Sequence, residues 1–139
     1  MTYRPILFLA LACLLAPTLS LAQESEPRPT VALSSWKCDW TKLGTIAQLS
    51  DSLWVPIEQE LVNEGKLTNY GMLIHDWADE WNVVFYRTAV DKTAFFEARA
   101  EFGRRFTERH PDAPSLTDYC TEHKDNIYVL RSFTMGATK

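Results

Sequence analysis

Two runs with strand character, residues 67–76 (LTNYGMLIHD) and 81–88 (WNVVFYRT), stand four residues apart. A connection that short joins antiparallel neighbours, so the runs read as a hairpin that any fold of this chain must contain. The flanks match one another in kind. Upstream, residues 31–40 are rich in apolar and aromatic side chains without helix periodicity and read as a strand, with Trp36, Cys38 and Trp40 on one face. Leu43, Ile46, Leu53, Trp54, Ile57 and Leu61 then fall on one side of a helical pattern that ends at Gly65, a residue suited to a left-handed cap. Pro56 lacks a backbone donor, so this helix should kink or split near Leu53, with Ser50 or Asp51 capping its second part. Downstream, Asp91 caps a helix striped by Phe95, Ala98, Phe102 and Phe106, leaving Arg99, Glu101, Arg104 and Arg105 to solvent. Pro111 and Pro114 end it. Ser115 and Asp118 have capping-box spacing and open a short helix to about Lys124, before a last strand at residues 127–134 (IYVLRSFT).

Strand, helix, strand, strand, helix, strand is the split β-α-β order, an α+β ferredoxin-like βαββαβ domain with an extra short helix before the last strand. Trp81, Val83 and Phe85 alternate with Val84 and Tyr86, and Ile127 and Val129 with Tyr128 and Leu130, so both sheet faces are apolar. Two helices cover one face of a four-stranded sheet. The other needs shielding, which a homodimer stacked sheet on sheet provides, and an α/β barrel is the expected dimer.

The first 22 residues carry one charge, Arg4, then an apolar run from Ile6 to Ala16 and a small-residue ending at Ala22. This is the layout of a cleavable secretory signal, and the run is shorter than the ~20 residues of a membrane-spanning helix. Leu11-Ala12-Cys13 offers a weaker lipoprotein alternative. The expectation is a signal peptide at 1–22, a flexible linker at 23–30 (QESEPRPT) and a single domain at 31–139. The exported chain would reside in a periplasm or outside the cell, with no membrane anchor after cleavage. Beyond residue 22, 13 Lys and Arg face 18 Asp and Glu, a charge of about −5 that argues against nucleic acid as partner. Two cysteines remain there, Cys38 and Cys120, and an oxidising compartment makes one disulfide the default, with two separate buried thiols as the alternative.

Residues 61–73 (LVNEGKLTNYGML), 75–83 (HDWADEWNV) and 120–128 (CTEHKDNIY) resemble exported bacterial proteins of the dimeric α/β-barrel superfamily, similar to NIPSNAP-like and antibiotic-biosynthesis-type monooxygenase domains. The resemblance implies a ferredoxin-like protomer and a barrel-forming dimer. It implies no single chemistry, because the superfamily spans oxygenases, isomerases, haem-binding enzymes and domains without known activity. Ala78 stands where the resemblance leads one to expect glycine in the hairpin turn.

Two polar clusters are candidates for chemistry. His75, Asp76, Asp79, Glu80 and Asn82 lie among Trp77 and Trp81 at the hairpin tip, supplying a general base, hydrogen-bonding groups and aromatic walls. His123, Asp125, Asn126 and Tyr128 lie where the short helix meets the last strand. Each also has a plain structural reading: Asp and Asn shape turns, tryptophans fold onto the sheet, and His123 suits a helix C-terminus. No H-E-x-x-H, H-x-H or C-x-x-C spacing marks a metal site, and no phosphate loop, dinucleotide fingerprint or G-x-S-x-G is present. Noncovalent haem could draw only on His75, His110 or His123, and no cofactor is expected. Two functions follow. One is an exported homodimer binding a small apolar or aromatic molecule, with Trp77, Asp79, Glu80, Trp81, Asn82, Asp125, Asn126 and Tyr128 as ligand contacts. The alternative is a cofactor-independent oxygenase or isomerase in which His75 or His123 transfers a proton.

Overall fold

A computed structural model describes residues 28–77 and 80–131. The segment read as an export signal, most of the linker, Ala78 and Asp79 of the hairpin tip, and the end of the last expected strand lie outside the described residues. Four strands, β1 (Thr30–Cys38), β2 (Asn69–Ile74), β3 (Val83–Ala89) and β4 (Cys120–Val129), form one antiparallel sheet in the order β2-β3-β1-β4. With helices α1 (Leu43–Leu49), α2 (Val55–Asn63) and α3 (Lys92–Arg109), this is the expected ferredoxin-like α+β arrangement. Among the described residues, no helix is long and apolar enough to cross a membrane.

Registry decides which side chains meet the helices. Thr30, Ala32, Ser34, Trp36 and Cys38 of β1 share a face with Val83, Phe85, Arg87 and Ala89 of β3 and with His123, Asp125 and Ile127 of β4. Toward one end of this face Ile57, Leu61, Leu67, Ala89, Phe95 and Ala98 form a core cluster. At the other, Ile46, Val83 and Phe85 pack around Cys38 and Cys120. These two cysteines form a disulfide that ties the end of β1 to the start of β4.

Several local expectations hold. Gly65 adopts φ 73° after α2, and the Asp91 carboxylate accepts from the Ala94 N–H at the start of α3. Others need correction. The α-helix divides near Leu53, as expected, but through a π-helical turn, Ser50–Trp54, rather than a capped break, and Pro56 falls in the first turn of α2. Neither Ser50 nor Asp51 caps that segment. Trp40 lies beyond β1 in a 3₁₀ turn and is exposed, not on the strand face with Trp36.

The short helix expected as far as Lys124 is a single 3₁₀ turn, Leu116–Asp118, although its capping box forms. β4 starts at Cys120 because the edge of β1 pairs with residues 122–129 one by one, and tertiary pairing overrides a weak local helix preference. His123 therefore stands in a strand, not at a helix C-terminus. Nor is Arg105 left to solvent. Its guanidinium bridges Glu60 of α2 and Glu64 just after it to Glu101 of its own helix, and Arg109 grips Glu60 beside it.

A cleft between the sheet and α3

The central strand carries two small residues in the middle of its helix-facing row, Ala32 and Ser34. Large apolar side chains there would fill the space under α3; their lack leaves two adjoining cavities that share Ser34, Trp36, Phe85 and Arg87. One, of ≈290 Å³, extends toward β4 between Phe95 and Arg99 of α3 and His123, Asp125 and Ile127. The other, of ≈320 Å³, extends along α3 to Phe102 and Phe106, is bordered by Trp54, Pro114 and Leu116, and opens to solvent. The α3 residues succeed one another at helical spacing, so a single ridge roofs both compartments. Each is small-molecule sized.

A chain of polar contacts crosses the first compartment. The Trp36 Nε1–H donates to Ser34 Oγ (3.1 Å), and the Ser34 hydroxyl donates to Asp125 Oδ1 (2.6 Å). Arg99 Nη2 lies 3.9 Å from Asp125 Oδ2. The imidazole of His123 stacks on the Trp36 indole with ring centroids 4.4 Å apart and planes 17° from parallel. Strand registry makes these pairs: Ser34 stands opposite Asp125, and Trp36 opposite His123.

At the junction of the compartments, Arg87 Nε donates to Glu58 Oε1 of α2 (2.6 Å), and the guanidinium lies 4.8 Å from the centre of the Phe102 ring. Glu58 is 5% exposed, and burial pushes its carboxyl up while Arg87 pulls it back. Glu58 lies behind the cleft wall. Arg87 lines both compartments.

The two predicted clusters do not merge. His75 follows β2 at one sheet edge, its N–H donating to the Asn82 carbonyl, whereas His123 lies in β4 at the other edge. Three strand spacings separate those edges, about 14 Å. His123, Asp125 and Asn126 line the cleft. The hairpin residues have other surroundings. Asn82, 1% exposed, accepts from the Cys38 N–H at Oδ1 (2.8 Å) and donates from Nδ2 to the Cys38 carbonyl (2.7 Å). Glu80 pairs with Lys37, Trp81 lies under the Lys124 ammonium, and Trp77 is 83% exposed. Asp79 lies outside the described residues. Tyr128 projects from the open face of the sheet, opposite Val31.

Sequence reasoning missed Ser34, Arg87 and Arg99 as cleft residues, and Glu58 as the partner of Arg87. A signal existed for Arg87: it is in phase with Val83 and Phe85, so a strand with those residues inside places an arginine inside too.

No protein-family model matches the chain, and no curated protein matches it. Solved structures do match in fold. A dimeric ferredoxin-like protein from an uncultured marine organism superposes with a TM-score of 0.61 at 13% identity, covering 81% of this chain and 95% of its own. A NIPSNAP-like domain protein from Burkholderia xenovorans gives 0.60 at 15% identity, covering 80% and 92%. SnoaB, a cofactor-independent oxygenase from Streptomyces nogalater, gives 0.51 at 13% identity, covering 76% and 96%. The fold is therefore one that NIPSNAP-like domains and cofactor-independent oxygenases share, as the sequence resemblance implied. Identities this low speak for fold alone.

Proposed function

We propose that the chain is an exported homodimeric α/β-barrel domain that binds a small apolar or aromatic molecule in the cleft between its sheet and α3. The observation that carries this reading is the cleft itself: two small-molecule-sized compartments, walled by Trp36, Phe85, Phe95 and Phe102, with a few fixed polar groups converging at one end. The face of the sheet turned away from the helices supports the dimer. It presents Val31 and Leu33, Val84 and Tyr86, Leu73 at 55% exposure and Tyr128 at 50%, with no helix over them among the described residues. A neighbour in fold space is a dimeric ferredoxin-like protein. Export is supported by the N-terminal sequence pattern, and the Cys38–Cys120 disulfide suits an oxidising compartment.

A second reading, turnover without a cofactor, is favoured by His123: it is the one described histidine that lines the cleft, and SnoaB shares the fold. In that reading His123 moves the proton, with the Trp36 ring fixing its plane. His75 lines neither compartment. Native mass spectrometry of the protein purified from its own host tests the main reading, because it records oligomeric state and retained ligand together. A dimer carrying additional small-molecule mass is expected. An empty monomer would contradict both parts.

A further inference from the structure

We infer that the ligand is an aromatic acid, a molecule with a ring-bearing apolar body and an anionic head, lying across both compartments. This rests on the cleft being a ligand site and adds the class of ligand. The argument begins with an asymmetry between the two compartments. The one along the second half of α3 is walled by Trp54, Phe102, Phe106 and Leu116, a surface for rings and methylenes. The one toward β4 holds Arg99, His123, Asp125 and Ser34. Arg87 stands where they join.

The charges are arranged unequally. Arg87 lines both compartments, while its counter-ion, Glu58, is buried and lines neither. Both polar contacts of Arg87 go to a single Glu58 oxygen, Oε1, through Nε and Nη2. The pair thus presents its positive end to the cleft. Packing against the Phe102 ring holds the guanidinium in place, so little ordering is needed when an anion arrives. The opposing group is Asp125. One of its oxygens accepts from Ser34 and the other faces Arg99 at 3.9 Å, so that carboxylate is engaged on both sides. Two arginines and one engaged carboxylate line the cleft, with the second carboxylate, Glu58, set outside the lining, so the cationic groups are the ones a ligand meets. A carboxylate or phenolate head supplies an acceptor to the guanidinium N–H groups that Glu58 and Asp125 do not take.

Isothermal titration of the full chain with phenylbutyrate, phenylbutanol and phenylbutylamine tests the inference, since the three share a body and differ in head charge. Phenylbutyrate should bind at least about tenfold more tightly than the alcohol, and the amine more weakly than either. Replacing Arg87 alone would strand a buried carboxylate, so the informative variant is the double exchange Glu58→Gln with Arg87→Gln, which removes both charges and keeps a hydrogen-bonding pair. Acid and alcohol should then bind within about threefold of each other. Arg99→Gln, at an exposed position, should lower the acid preference by a smaller factor without affecting folding. Equal binding of acid and alcohol by the unmodified protein would overturn the acid head while leaving an aromatic cleft. Failure of all three to bind would overturn the cleft reading as well.

Discussion

Asn82→Ala should be among the most destabilising single exchanges at the hairpin, and it should act on stability rather than on ligand. The side chain is buried and bridges both backbone groups of Cys38. Truncation removes two hydrogen bonds worth roughly 1 kcal/mol each and leaves a buried N–H and C=O at about 1–3 kcal/mol apiece, partly relieved by entering water. A loss of about 3–5 kcal/mol follows. In a domain of about 100 residues each kcal/mol corresponds to ~4–8 °C, so the melting midpoint should fall by at least about 12 °C. Urea unfolding of the oxidised protein, followed by tryptophan fluorescence, measures the loss directly. Because Asn82 lines neither compartment, affinity for phenylbutyrate well below the melting midpoint should be unchanged. A stability loss under about 1 kcal/mol would refute the clamp. Undiminished stability with lost affinity would instead return Asn82 to the ligand contacts.

Four further outcomes are expected. Alkylation without reductant should label neither Cys38 nor Cys120, and reduction should lower stability by roughly 4 kcal/mol, because the bond closes a loop with a sequence separation of 82; labelling of both would contradict the bond. Arg105 with Lys66, and Arg104 with Arg105, hold the Glu64 and Glu101 carboxyls respectively at about 2. Their contribution is present above the ordinary carboxylate value of 4.5 and lost as pH falls from there toward about 2, so the melting temperature should drop across that window and drop less steeply in Arg105→Met; equal slopes would count against the network. A Cβ added at Gly71 would lie 2.6 Å from the Tyr86 ring, so Gly71→Ala should displace that ring from the open face and weaken the proposed dimer about tenfold or more in sedimentation, an unchanged dimer contradicting the proposed interface. Ser34→Leu fills the junction of the compartments and should reduce phenylbutyrate affinity more than tenfold with the fold retained by circular dichroism; undiminished binding would place the ligand elsewhere.

Periodicity made the element order legible. The hairpin, the Phe95–Ala98–Phe102 stripe, the Gly65 cap and the Asp91 cap all depend on residues within a few positions of each other, which a sequence displays directly. The errors fell where distant partners decide the outcome. Residues 120–126 have a capping box before them and little strand character, and they become a strand because β1 offers them an edge. The same strand pairing determines the site. His123 and Asp125 were recognisable as polar candidates, but their companions, Trp36 and Ser34, lie about ninety residues away and meet them only through the β1–β4 register. The contacts of the hairpin cluster were equally hidden: Asn82 and Glu80 fasten the hairpin to β1 through Cys38 and Lys37, partners more than forty residues away.

Proton–nitrogen correlation spectra recorded during a phenylbutyrate titration locate the ligand, which should enter the cleft between the sheet and α3. Tryptophan indole signals report from distinct places: Trp36 and Trp54 line the cleft, whereas Trp40 and Trp77 are exposed outside it. The account predicts saturable shifts of the Trp36 and Trp54 indole N–H signals, with those of Trp40 and Trp77 unmoved. Unshifted Trp36 and Trp54 signals, with changes confined to backbone amides around Leu73, Tyr86 and Tyr128, would put the ligand on the open sheet face and contradict it.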